Sequence, residues 1–331
     1  ATHPPGWSAP ATKLRAMTHD DVSTPPTRHR FAIADGGIET ALDERLGQVL
    51  PEFAAFTLLE TETGRAALAE YYRPFVELAA TNGLSLALDT PTWRANPDWG
   101  ALLGYSSEAL DQVNENAARL TRETAERHAP DLNVTVGGCV GPRYDEGIEQ
   151  TMTADEAERY HERQVRALAA GGVDRITAVT MSDAGEAQGI VRAARTAGID
   201  VVVSFAVGPD GRLADGASLG RAIFDVDDET NAYALGYFVN CAHPDEASLA
   251  LRQESASETE RRAVSERIIG FRLNAAHHGD DGPGDAPEHF AKSELALSDL
   301  APRASTFGGC CGTDAPHIAA IAAELDALGK E

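Results

Sequence analysis

Two adjacent cysteines, Cys310 and Cys311, stand among glycines at 308, 309 and 312. Neighbouring side chains on an extended chain point apart, so both thiols reach one ion only where the backbone turns sharply, which glycine permits. Cys241 closes another apolar run, residues 237–240. If the fold brings these segments together, three thiolates can hold one zinc ion. Its fourth tetrahedral position then stays open for water or a ligand, which marks a catalytic rather than a structural site. The plainer alternative makes Cys241 a small core residue and the 310/311 pair an incidental turn. A redox pair of adjacent thiols is a third reading. His243 is a conceivable fourth ligand, but Pro244 reads as a helix start and places His243 in a loop. Cys139, in a Gly-rich strand end without a cysteine neighbour, reads as a small residue in a tight loop.

Polar residues end the other apolar runs too: Asp35-Gly36-Gly37, Asp89-Thr90, the stretch 137–142 (Gly-Gly-Cys-Val-Gly-Pro), Asn240 and Asn274. Asp35 can accept from a ligand ammonium group while Gly36 and Gly37 let backbone amides approach a carboxylate. The alternative is an aspartate that fixes a strand-to-helix turn. Trp93, Trp99 and Tyr144 follow the second and third runs, where their π faces can attract a cationic ligand or simply pack.

The elements that must position these residues recur regularly. Apolar runs at 31–35, 84–89, 133–136, 175–180, 201–206, 237–240, 268–273 and 305–307 predict eight strands. Amphipathic stretches at 64–80, 108–128, 154–170, 184–197, 219–228 and 315–328 predict helices between and after them. The alternation predicts an α/β fold, a (β/α)8 TIM barrel formed by residues 30–331 as one domain. A doubly wound sheet is the competitor, weakened because no GxGxxG follows the first run. In a barrel all strand carboxyl ends open onto one mouth, so a single pocket can gather every residue named above. Residues 1–29, with five prolines and little periodicity, read as a flexible tail. The segments 41–61 and 275–302 exceed what a plain βα unit needs. The Gly- and Asp-rich run 278–285 predicts that the second is a mobile, solvated loop.

Composition narrows the partners. Among 331 residues, 52 acidic against 28 basic side chains give a net charge of −24. Such a surface repels phosphate backbones and anionic lipid, which excludes nucleic acid and membrane as partners and leaves small molecules. Only three of the basic residues are lysines. Acidity with few lysines suits a high-salt habitat, and Arg-for-Lys bias from GC-rich coding accounts for it equally well. No apolar run is long enough to span a bilayer and the first 30 residues lack a signal peptide's apolar segment, so the cytoplasm is the expected location. Four cysteines are too few for a disulfide scaffold in a chain of this length.

The motifs at 35–42 (Asp-Gly-Gly-Ile-Glu-Thr-Ala-Leu), 137–142, 240–241 and 308–313 (Gly-Gly-Cys-Cys-Gly-Thr) occur in the order found in one family. From about residue 31 onward the chain resembles the zinc- and homocysteine-dependent S-methyltransferases, which include betaine- and S-methylmethionine-dependent members. The resemblance implies a (β/α)8 barrel in which Cys241, Cys310 and Cys311 bind Zn2+ and carry catalysis through it. It implies that Asp35, Gly36 and Gly37 hold the amino-acid moiety of homocysteine and that Asn240 shapes the site. A free thiol, with a pKa near about 8.5, is mostly protonated at neutral pH, whereas zinc removes its proton. The homocysteine sulfur then attacks a methyl group on a sulfonium or ammonium donor, giving methionine.

Two departures mark a divergent branch. Relatives carry a Glu-Thr pair at the end of the fourth strand, with Glu on the substrate ammonium; this chain has Val179-Thr180. Glu186 lies in the following helix and replaces that Glu only if the backbone shifts. The second strand ends Asp89-Thr90 where many relatives have Asn-Thr-Tyr, so Asp89 is a candidate for the ammonium. Asp35, Gly36, Gly37, Asp89, Trp93, Thr180 and Asn240 are thus the expected substrate contacts. S-methylmethionine or S-adenosylmethionine is the expected donor. The alternatives are another thiol acceptor, a quaternary ammonium donor caged near Trp93 or Tyr144, and a zinc- and thiol-binding barrel without turnover.

Overall fold

The computed structural model describes residues 31–145, 150–252, 256–280 and 282–328; the tail expected at 1–29 lies outside the described residues. Eight parallel strands follow one another around a closed barrel: β1 (Ala32–Ala34), β2 (Ser85–Asp89), β3 (Val134–Val140), β4 (Arg175–Met181), β5 (Asp200–Ala206), β6 (Gly236–Asn240), β7 (Ile268–Leu273) and β8 (Thr306–Gly309). Closure comes from β1 pairing with β8, Ala32 opposite Thr306 and Ile33 opposite Phe307. Val201, Val202, Val203, Phe205 and Val239, all fully buried, show why these segments pack as strands covered on both faces. The expected (β/α)8 barrel is the fold.

The covering helices begin and end where local chemistry dictates. Thr61 accepts from the Gly64 amide at 3.0 Å to start Glu62–Asn82. Thr153 and Glu156 form a reciprocal capping box at Ala154–Gly171. Gly83, Gly172 and Gly198 close their helices in the left-handed conformation. No described helix is long and apolar enough to cross a membrane.

Three expectations need correction. β3 and β8 run through their glycines instead of stopping before them, to Val140 and Gly309. A Cβ at Gly137 would overlap Asp89 Oδ1 and Thr177 Oγ1, so that glycine marks close packing inside the barrel rather than a loop. Cys139 therefore sits within a strand, not in a tight loop. The segment 275–302 is not a solvated loop throughout: it contains the helix Pro287–Ala296, which buries Phe290, Ala291 and Glu294 and sets Phe290 edge-on to His317 at 5.5 Å. The helix Pro244–Arg252 starts at the proline that reads as a helix start, but a second helix, Glu258–Arg267, packs against β7 where only a connection was expected.

Candidate active site at the barrel mouth

The three thiols meet. Cys241 follows β6 with a left-handed φ of 51°, and Cys310 and Cys311 follow β8. Cys241 Sγ lies 3.1 Å from Cys310 Sγ, which lies 4.0 Å from Cys311 Sγ; all three are within 4.8 Å of one another. A tight turn makes this convergence. The Thr313 amide and hydroxyl both return to the Cys310 carbonyl, at 3.1 and 2.7 Å, and Gly312 takes a φ of 72°. Asn274 at the end of β7 accepts from the Cys311 amide at 3.1 Å. The Cys310 thiol is held well below its ordinary range by hydrogen bonds from Cys241 and Cys311 and by the nearby Arg272 charge. Cys241, hydrogen-bonded with Cys310 and Cys311 and buried, is pushed up. Three convergent sulfurs, none in a disulfide and one poised to ionise, are a donor set that fits Zn2+.

Beneath them lies a buried charge cluster. Asp35 at the end of β1 and Asp89 at the end of β2 both pair with Arg272 of β7, Asp35 at 2.5 Å. Tyr71 donates to Asp35 at 3.2 Å, and Thr177 donates to Asp89 at 2.8 Å. Burial, with the neighbouring Asp89 charge, raises the Asp35 carboxyl to about 7 against the lowering pull of Arg272. Sequence reasoning missed Arg272; its signal was a lone cation inside an apolar strand. Gly36 and Gly37 pack on the cysteine turn: a Cβ on Gly37 would stand 2.5 Å from the Cys310 carbonyl oxygen. The Gly37 amide already donates to Thr313 O at 3.2 Å. Glu39, two residues on, lines the same cavity and was also missed, although it stands inside the first motif. Burial, then the Cys310 and Asp35 charges, raises its carboxyl to about 7.

The tip of β4 departs from regular pairing. Its register against β5 shifts between Ala178 and Met181, and Thr180 adopts a φ of 64°, unusual for a β-branched residue. Asn240 holds this tip to β6. It accepts from the Thr180 amide at 3.2 Å and from Ser204 at 2.6 Å, and donates to the Thr180 hydroxyl at 3.0 Å. That hydroxyl lies 3.8 Å from Cys241 Sγ. Val179 lines the cavity. Glu186 is committed elsewhere, accepting from the Arg143 amide and pairing with His161, each at 2.7 Å.

The cavity above these groups measures about 700 Å³ and is lined by Asp35, Asp89, Trp93, Val179, Asn240 and the three thiols, among others. Trp93 and Tyr144 line it, but arginines share the aromatic faces: Arg94 sits 3.7 Å over Trp99 and 4.9 Å over Trp93, and Arg143 5.2 Å over Tyr144. Cys139 also faces the cavity, with its thiol pushed up by burial. His243 stands apart from the thiols, bonded to Asp285 at 3.0 Å and stacked on His277.

A parallel α/β barrel with three thiols at its carboxyl mouth defines the class of enzyme. The chain matches the family model of homocysteine S-methyltransferases over residues 32–325. Among solved structures it is similar to the Escherichia coli homocysteine methyltransferase MmuM. The oxidized form gives a TM-score of 0.73 at 18% identity, covering 90% of this chain and 97% of that one. The metallated form gives 0.71 at 17%, with the same coverage. This chain belongs to the homocysteine S-methyltransferase family, and it is a methyltransferase.

Proposed function

We propose that this enzyme methylates homocysteine from a sulfonium donor, S-methylmethionine or S-adenosylmethionine, with zinc held by Cys241, Cys310 and Cys311. The convergence of three sulfurs within 4.8 Å at the mouth of the cavity carries this reading. Zinc bound there supplies thiol activation, because a coordinating thiol loses its proton at neutral pH. The chain's own residues do the rest. Asn240 fixes the tips of β4 and β6, so the thiol ligand and the cavity wall keep one geometry. Arg272 bridges Asp35 and Asp89 and ties the cavity floor together. Trp93, Val207 and Leu213 give the wall an apolar lining against which a methylated donor can seat away from water.

Purified enzyme is expected to contain one zinc per chain and to form methionine from homocysteine and S-methylmethionine. Cys310→Ala is expected to lose both zinc and methionine formation. Full activity in a zinc-free triple variant, C241A/C310A/C311A, would overturn the proposal.

A further inference from the structure

The floor of the cavity carries three carboxylates, Asp35, Glu39 and Asp89, and one cation beside them, Arg272. Arg272 reaches two, bonding Asp35 through Nη2 and Asp89 through Nη1. Arg212, also on the lining, donates to the Gly216 carbonyl at 3.1 Å. Among the described residues no side chain bonds Glu39, and the cations adjoining the cavity are placed on other groups. A mostly buried carboxylate with no side-chain partner is costly in its charged form, as the raised Glu39 carboxyl reflects, and a cationic ligand would favour that form.

The position of Glu39 says which ligand. Glu39 lines the cavity together with Cys241, Cys310 and Cys311 and lies close enough to Cys310 to feel its charge. A molecule with its sulfur at the cysteines and a cationic nitrogen a few bonds away can satisfy both at once. We infer that Glu39 is the residue that binds the ammonium group of the acceptor and so makes the enzyme select amino-acid thiols over thiols without an amino group. The inference rests on the proposed acceptor chemistry but names a residue and a selectivity of its own. Asp35 and Asp89 set the floor with Arg272, and Glu39 takes the cation.

Calorimetric titration of the zinc-loaded protein tests this with two probes, homocysteine and 4-mercaptobutyrate, the same skeleton without the amino group. Wild type is expected to prefer homocysteine. Glu39→Gln, which keeps the shape and removes the charge, should weaken homocysteine binding by about 10- to 100-fold, the range for a charge-assisted hydrogen bond. It should leave 4-mercaptobutyrate unchanged, which also shows that the variant is folded. Glu39→Asp should retain part of the preference. The inference is overturned if wild type does not distinguish the probes, if Glu39→Gln keeps the preference, or if it loses both thiols equally, since Glu39 then supports the site without reading the nitrogen. Methyl transfer is not part of this readout. Wild type that prefers homocysteine but forms no methionine refutes the donor chemistry and leaves Glu39 in place.

Discussion

Arg272 decides whether the cavity floor exists. It is the guanidinium shared by two buried carboxylates from different strands, and its removal leaves both with hydrogen-bond donors but no counter-ion. Breaking a buried ion pair from one side costs about 3–5 kcal/mol, so Arg272→Met is expected to destabilise the protein by that amount in urea unfolding. A loss under about 1 kcal/mol would mean that the carboxylates are neutral without it. The residues that could be read in advance were those whose type conflicts with their place: thiols among glycines, and Asp35 and Asp89 ending apolar runs. Arg272 showed the same conflict, yet its partners lie 237 and 183 residues away, a pairing that only barrel closure creates. Glu39 was hidden for another reason. A glutamate in the first turn after a strand is usually a solvated helix residue, and only the closing of the barrel puts this one in the same cavity as the thiols.

Elements were legible where their period was strong. The helices Ala184–Ala197 and Ala315–Leu328 fall at the bounds the apolar spacing predicts, and β7 does too. Elements held by charge and caps were not. Glu258–Arg267 buries only Val264, so it lacks an apolar stripe; its signature was the capping box of Ser257 and Glu260. In the helix Pro287–Ala296, Glu294 is fully buried and accepts from the Gly308 amide of β8 at 3.2 Å. Burial raises its carboxyl well above 4.5, so the folded state holds a proton that the unfolded chain releases. The stability that this proton contributes is complete below about 4.5 and is lost as pH rises toward the folded value. Glu294→Gln keeps the acceptor and removes the ionisation. It should match wild type in acid and gain on it by up to about 1.4 kcal/mol per pH unit above that point, measured by urea unfolding across a pH series. A constant difference at all pH values would show that Glu294 does not titrate in this range.

At the scale of the whole molecule, a net charge of −24 repels itself most when the chain is compact. Salt shortens the screening length from about 10 Å at 0.1 M to about 3 Å at 1 M, so the melting temperature should rise with sodium chloride. Each kcal/mol recovered is worth about 2–4 °C for a domain of roughly this size. A fall in melting temperature would mean that the arginine–carboxylate pairs on the surface outweigh the repulsion. Barrel closure was legible from the count of strands, because eight βα units leave few other ways to hide every strand edge. The irregular tip of β4 was not, since a register shift depends on both strands and not on either sequence alone. That shift has an evolutionary consequence. Val179 lies in a stretch outside the regular ladder, next to Thr180, which Asn240 holds. A side chain at position 179 therefore rests on no ladder hydrogen bond of β4 with β5, so its replacement by an acidic or another apolar residue leaves the scaffold and the thiols in place.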